Sequence, residues 1–230
     1  MKFKRVRIQA TAATIPPHPM TSAEIEERLK PLYDRIGLPV GRLEMMTGIE
    51  RRHFWEPGVL PSAASARAGG DLLKRSGVDP ESIDLLIHCG VCRDRMEPAT
   101  AAYVHGLLGL QPHCQILDIS NACLGFVNAM VLAGSLIECG QIRHALLVSG
   151  ENGRPLLEQT LSSLLTRDLN RKTVKPYFAN LTIGAGAAAM LLSRDDLSAA
   201  DSLRLLGGVA GTDSSANTLC QGDATGIDGL

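Results

Sequence analysis

The stretch Cys114-Gln-Ile-Leu-Asp-Ile-Ser-Asn-Ala-Cys123-Leu-Gly-Phe-Val-Asn-Ala-Met130 decides how the rest of the chain is read. Ile116, Leu117 and Ile119 form a short apolar run rich in β-branched residues, the pattern of a buried strand, and Ser120-Asn121 are turn and cap residues. From Leu124 to Cys139 the chain is apolar on nearly every face, no charge occurs before Glu138, and Gly140 supplies a stop. The pattern predicts a helix lying inside the protein. Cys123 then stands where a strand turns into the first turn of that helix. Unpaired N–H groups and the positive end of the helix dipole favour an anion at this point by about 1 kcal/mol. A thiol gains nucleophilicity there, but an effect of that size leaves activation incomplete, so a His or another donor is expected to complete the site. A buried, inert thiol fits the same residues, because a lone Cys in an apolar strand-helix unit is usually a small hydrophobe.

Composition limits the classes open to this chain. Its 230 residues, 45% hydrophobic, can bury a substantial core as one large domain or two small ones. Twenty-three Lys and Arg against 24 acids leave a net charge of -1. No broad basic field exists to hold nucleic acid or an anionic membrane, so an anionic ligand must be met locally. The charged opening from Met1 to Arg7 leads into too short an apolar stretch for a signal peptide, and no run approaches a membrane span. Six irregularly spaced cysteines fit the reduced thiols of a cytoplasmic protein better than a disulfide framework.

Taken in order, the chain opens with an expected strand, Val6 to Thr14, stopped by Ile15-Pro16-Pro17. Thr21 with Glu24 makes a capping box, and Ile25, Leu29, Leu32 and Ile36 have helical spacing up to Gly37, with Pro31 set to kink or split the helix. Residues 41–58 read as an irregular segment mixing basic and aromatic side chains, able to grip a phosphate or to be a loop with Trp55 as packing anchor. Ser62 to Gly77 is an Ala-rich helix with Gly69-Gly70 for close packing, and Ile83 to His88 is a strand. Pro98 starts a helix to about Gly109, and Ala145 to Val148 is another strand. Leu85-Leu86-Ile87 and Leu146-Leu147-Val148 are continuous apolar runs, as expected of a mostly parallel sheet covered on both faces with right-handed crossovers. Leu156 to Leu165 is an amphipathic helix, and the charged connection to Lys175-Pro176 has the composition of a flap. Gly184-Ala-Gly186 leads into a small-residue strand up to Leu192, where two backbones or a subunit partner can approach closely. A polar linker, Ser193 to Ser202, precedes Leu205 to Gly211, read as the start of a new strand.

In this order the features resemble the ketoacyl-ACP synthase III branch of the thiolase superfamily. Thr47-Gly48-Ile49 with Arg51-Arg52, Asn121-Ala122-Cys123-Leu124-Gly125-Phe126, Val148-Ser-Gly150-Glu151 and Gly184-Ala-Gly186-Ala187 carry the resemblance. Arg93-Asp94 with Glu97-Pro98, and Leu219-Cys220 with Gly222, look more like the OleA-type enzymes, which join two long-chain acyl-CoA molecules head to head. The resemblance implies an α/β thiolase-like fold. Its N-terminal βαβαβαββ half, residues 1–195, would have a buried nucleophile helix. Residues 196–230 would be a linker and the beginning of a second half that is largely absent.

For activity, the resemblance implies Claisen condensation of acyl thioesters. Cys123 would attack an acyl-CoA and hold the acyl group as a thioester, with its own backbone N–H as one oxyanion donor. A second thioester, made into a carbanion, would then attack that carbonyl and release a 3-oxoacyl product. Decarboxylation makes the carbanion in the malonyl-using branch. In the OleA-like branch Glu97 is the matching base, reaching the site across a dimer interface, and a solvent-facing carboxylate near a helix start is its plain alternative. Arg51 and Arg52 are CoA-phosphate contacts or ordinary surface charge. Acyl-CoA or acyl-ACP is the substrate, and no permanently bound cofactor or metal is implied. A homodimer through the sheet edge and an acyl carrier protein are the implied partners.

The chain departs from the family in one large respect. The family's catalytic His and Asn belong to the second half, and His18, His53, His88, His105, His113 and His144 all lie in the first, so none is assigned a catalytic role. Either the sequence is a truncated form of a full enzyme or a partner chain supplies the rest. The 230 residues alone are expected to be inactive in condensation and to leave an uncovered apolar face. Two other classes stay open: a non-catalytic or partner-dependent subunit of the same fold, and a metal or redox module built on Cys89-Gly-Val-Cys92 with His113-Cys114. A nucleotide-binding Rossmann protein is disfavoured, because no Gly-x-Gly-x-x-Gly follows the first strand.

Overall fold

A computed structural model describes residues 1–218. Its elements in chain order are β1 (Val6–Thr14), β2 (His18–Thr21), α1 (Ser22–Arg28), α2 (Lys30–Ile36), α3 (Arg42–Thr47), β3 (Arg51–Phe54), α4 (Pro61–Ser76) and β4 (Leu85–Cys89). They continue as α5 (Thr100–Leu108), β5 (Gln115–Ile119), α6 (Gly125–Glu138), β6 (His144–Asn152), α7 (Arg154–Thr166), α8 (Phe178–Leu181), β7 (Ala185–Arg194) and β8 (Leu203–Arg204). These form two compact units. One comprises Met1–Ile15, Gly58–Asn152 and Gly186–Val209; the other comprises Pro16–Pro57, Gly153–Ala185 and the described residues from Ala210. β8 is an edge strand of the first unit, paired with β1 at Arg7 and Ile8. Of the segment expected to open a new strand, Gly207 makes an isolated bridge to Lys2. Among the described residues no helix is long and apolar enough to cross a membrane.

The first unit is a six-stranded sheet in the order β5-β4-β6-β7-β1-β8. β5, β4 and β6 run parallel, while β1 runs antiparallel to both β7 and β8, so the sheet is mixed, with its parallel part at the β5 side. The apolar runs behave as a doubly covered sheet requires. Leu85, Ile87, Ala145 and Leu147 face one side and pack with Ala129, Ala133 and Ile137 of α6. With a period of two, Leu86, Leu146 and Val148 face the other side, where α4 lies. A Cβ on Gly69 would sit 3.2 Å from both Leu108 and Val148, so glycine sets the approach of α4 to the sheet.

Two expectations for the central stretch change. β5 is not buried: it is the last strand in the sheet order, with β4 as its hydrogen-bonded neighbour, and Ile116 and Leu117 stay 36% and 40% exposed. Helix α6 is not interior on all sides. Gly125, Ala129, Ala133, Gly134 and Ile137 form one buried face, whereas Leu124 and Val127 on the other are 57% and 53% exposed. Its apolar composition suits cover on every side, and the sheet covers one.

The second unit pairs β2 with β3 antiparallel and surrounds them with α1, α2, α3, α7 and α8 around Ile25, Leu29, Leu32, Phe54, Leu157 and Leu161. The capping box forms as read: the Glu24 N–H donates to Thr21 Oγ1 at 3.1 Å and the Thr21 N–H to Glu24 Oε2 at 2.6 Å. Pro31, in the first turn of α2, accompanies the split between α1 and α2. Residues 41–58 are more regular than expected. The buried Glu26 accepts the Gly41 and Leu43 N–H groups, which starts α3, and β3 follows with Trp55 fully buried as a packing anchor. The connection after α7 is no flap, because Val174 and Phe178 are buried in the core of this unit.

Gly150 marks a close contact in the first unit. A Cβ there would collide with the Pro61 carbonyl and come within 2.6 Å of the Ser65 amide and hydroxyl. G150A should therefore cost about 1–3 kcal/mol, read as a lowered urea midpoint at unchanged slope.

Candidate active site

Parallel strands bring their C-terminal ends to one edge, and here β4, β5 and β6 end in Cys89, Ile119 and Asn152. The turn after β5 holds Asn121, Ala122 and Cys123. The Leu124 N–H donates to the Asn121 carbonyl at 2.9 Å and the Gly125 N–H to the Ala122 carbonyl at 3.1 Å, while Asn121 Nδ2 donates to Asn128 Oδ1 at 2.6 Å. Ala122 has φ of 42°, the left-handed region that L-residues avoid, and sequence reading missed it because nothing but a glycine would have signalled it. Cys123 follows, exposed, with Leu124 as the cap residue and α6 beginning at Gly125, slightly ahead of the first turn expected for it. Gly125 is required for that approach: its Cβ would lie 3.1 Å from the Ile119 carbonyl and 3.9 Å from Cys89 Cβ. An accessible sulfur at the head of a long helix, on a turn fixed by backbone bonds, is the arrangement a thioester-forming nucleophile needs.

Glu97 is exposed on the loop between β4 and α5, joined to Pro98 by a cis peptide, and α5 starts at Thr100 rather than at Pro98. Carboxylates hold this loop. Asp118 of β5 accepts the Thr100 and Ala101 N–H groups at 2.7 and 2.8 Å, satisfying the free amides at the start of α5. Asp94 Oδ1 accepts the Ser62 N–H at 2.8 Å at the start of α4. Beneath lies His88 of β4, fully buried, its Nδ1 3.9 Å from Asp118 Oδ1 and its Nε2 without a hydrogen-bond partner. Burial pushes the His88 pKa below the ordinary imidazole value, against the upward pull of Asp118, Glu151 and Asp94 and with Arg93 adding to the lowering. The sequence could have flagged Asp118 and Glu151 as charges at the ends of otherwise apolar strands.

The remaining candidates are distributed as follows. Arg51 is exposed on β3 in the second unit. Arg52 beside it is only 5% exposed, donates from Nη2 to Ser22 Oγ at 3.0 Å, and has its pKa lowered by burial. The surface setting expected of the pair holds for Arg51 and not for Arg52. Gly184 makes the close backbone approach expected of it, since its Cβ would lie 3.3 Å from the His53 carbonyl. Cys89 and Cys92 have thiol pKa values pushed to about 12, chiefly by burial, and are thiols rather than thiolates at neutral pH. Cys89 Sγ points to the Ile87 carbonyl and Cys92 Sγ to that of Asn152. Among the described residues no three His, Cys, Asp or Glu side chains are arranged to hold a metal ion.

Residues 117–214 match the family described as 3-Oxoacyl-[acyl-carrier-protein (ACP)] synthase III. The chain is similar to the acyl-CoA:acyl-CoA alkyltransferase of Xanthomonas campestris, 40% identical over 223 residues that cover 97% of this chain and 66% of that protein. Among solved structures, Xanthomonas campestris OleA with one glutamate changed to aspartate superposes with a TM-score of 0.91 at 38% identity, covering 95% of this chain and 67% of the other. The same protein with one cysteine changed to alanine gives a TM-score of 0.93 at 39% identity, covering 97% and 64%. The chain thus spans just under two thirds of the length of the alkyltransferase it matches.

Two outcomes follow from the geometry. A122G should keep stability within about 0.5 kcal/mol, because relief of the left-handed strain offsets the added backbone entropy, whereas the β-branched A122V should slow Cys123 alkylation by a small acyl mimic roughly tenfold. For His88, the unfolded chain binds the proton more tightly than the folded one. Its contribution to stability is full above the ordinary imidazole pKa of about 6.5 and is lost as pH falls from there toward the lowered folded value. H88N should therefore show a smaller drop in urea midpoint between about pH 7.5 and 5.5 than the unsubstituted protein.

Proposed function

The chain belongs to the thiolase superfamily, among the OleA-type members of its ketoacyl-ACP synthase III branch, and from that premise we propose that the full-length protein condenses two acyl-CoA molecules by a Claisen reaction through an acyl-Cys123 intermediate. The observation that carries the reading is the exposed Cys123 on its left-handed turn at the head of α6. In the first step the Cys123 thiolate attacks the carbonyl of one acyl-CoA, and the CoA thiolate leaves with a proton. In the second, Glu97 takes the α-proton of another acyl-CoA, the carbanion attacks the acyl-Cys123 carbonyl, the carbon-carbon bond forms, and the bond to sulfur breaks to give a 3-oxoacyl-CoA and the free thiolate. The helix end supports the sulfur as an anion on leaving.

Residue spacing supports both assignments. The glutamate changed in one solved OleA variant and the cysteine changed in another are separated by the same number of residues as Glu97 and Cys123. Counted from that cysteine, the histidine changed in a further variant corresponds to a position beyond Leu230. The exposure of Glu97 suits a base that serves a partner protomer's sulfur, and the open edge of β5, with Ile116 and Leu117 exposed, suits a homodimer joined strand to strand. Arg51, the open member of its pair, is the candidate CoA-phosphate contact, and an acyl carrier protein is the alternative acyl donor. Residues 1–195 as one half of the fold and 196–230 as the opening of a second remain the proposed organisation, in a protein of the reducing cytoplasm, a setting in keeping with the free cysteines among the described residues.

The full-length protein incubated with a long-chain acyl-CoA should gain the acyl mass, seen by intact-mass measurement. C123S should gain none, and E97Q should load the acyl group but make at least about 100-fold less condensed product. An acyl adduct that persists in C123S overturns the assignment. Loading without condensation in the unsubstituted full-length protein favours a non-catalytic or partner-dependent subunit.

A further inference from the structure

We infer that Glu151 is a positioning residue for Glu97, holding in register the loop that carries the base; the inference rests on the reading of Glu97 given above. Glu151 lies in β6, a strand that contains neither Cys123 nor Glu97. Its carboxylate meets the first residues of the loop: Oε1 accepts the Val91 N–H at 2.8 Å and Oε2 accepts the Cys92 N–H at 3.2 Å. The fit is close. A Cβ on Gly90 would stand 2.7 Å from Glu151 Oε1 and 3.5 Å from His88 Cε1, so a methyl group there would force the carboxylate to shift.

The loop is fixed at three points. Glu151 holds Val91 and Cys92, Asp94 ties the middle to Ser62, and Asp118 holds Thr100 and Ala101. Glu97 sits between the second and the third. Asp118 belongs to the strand that leads into the Cys123 turn, so its loss would disturb both reacting groups. Glu151 lies outside that strand and is anchored in β6, which lies between β4 and β7 in the sheet. The two successive N–H donors are met by the two separate carboxylate oxygens of Glu151. Glutamine offers one acceptor and turns an N–H against the other donor. Bonds to an ionised acceptor are also roughly twice as strong as neutral ones. A base must lie within hydrogen-bond reach of its proton, and a misplacement of about 1 Å can cost roughly a hundredfold in rate.

The test separates the two steps in the full-length protein. Acyl loading of Cys123 is followed by intact mass, and single-turnover product formation is then followed after mixing pre-loaded protein with a second acyl-CoA. E151Q should slow condensation about 10- to 100-fold while loading changes less than about threefold, with the loss in kcat rather than in KM for the second thioester. E151D, which keeps the charge, should recover part of the rate. G90A attacks the same contact from the loop side and should give the same split, and E151Q/G90A together should be little worse than either alone. Parallel loss of loading and condensation in E151Q and G90A, or full condensation in E151Q, overturns the positioning role. Condensation untouched by E97Q overturns the reading of Glu97 itself, and is told apart by that variant.

Discussion

Backbone amides that leave a sheet need acceptors, and at the C-terminal edge of β4, β5 and β6 those acceptors are carboxylates. Asp118 takes two N–H groups at the start of α5, Asp94 one at the start of α4, and Glu151 two in the loop after β4. Asp118 and Glu151 sit at the margin of an apolar core and each accept two N–H groups, which offsets the cost of taking a carboxylate partly out of water. Without them the loops would carry orphan donors, and the edge that presents Cys123 and Glu97 would lose its fixed shape. His88 lies in the middle of this set and stays neutral because burial outweighs the pull of the acids around it.

The second constraint is closeness. Gly125 lets the head of α6 touch the Ile119 carbonyl, Gly69 lets α4 approach Val148, and Gly150 lets β6 pass the Pro61 carbonyl. Such contacts fix the helices to the sheet through backbone rather than long side chains, which leaves little freedom in the turn between β5 and α6. Ala122 bears the cost of that turn in its left-handed conformation, and strain of this kind persists only where surrounding bonds overdetermine it. The sulfur that follows is accessible, and the helix behind it has one face against the sheet and another still apolar and open.

Much of this was legible in the residues. Val6 to Thr14, the capping box of Thr21 and Glu24, the break at Pro31 and the helix ending at Gly77 follow from local stereochemistry that neighbours rarely override. Residues 41–58 escaped because α3 owes its start to Glu26, a buried carboxylate distant in sequence that accepts the Gly41 and Leu43 amides. Arg52 was misjudged for a related reason: an arginine in a polar run reads as surface, and only packing reveals it buried against Ser22.

By itself the sequence determined the strand-helix alternation, the apolar faces and the Asn121-Ala122-Cys123 passage on which the proposed chemistry rests, because period, caps and side-chain type are written locally. Tertiary structure alone decided that β5 is an edge, that α6 is covered on one side, and that Asp118, Asp94 and Glu151 converge on one loop. Those facts depend on which strands lie side by side, and strand order is a property of long-range packing that no local pattern encodes.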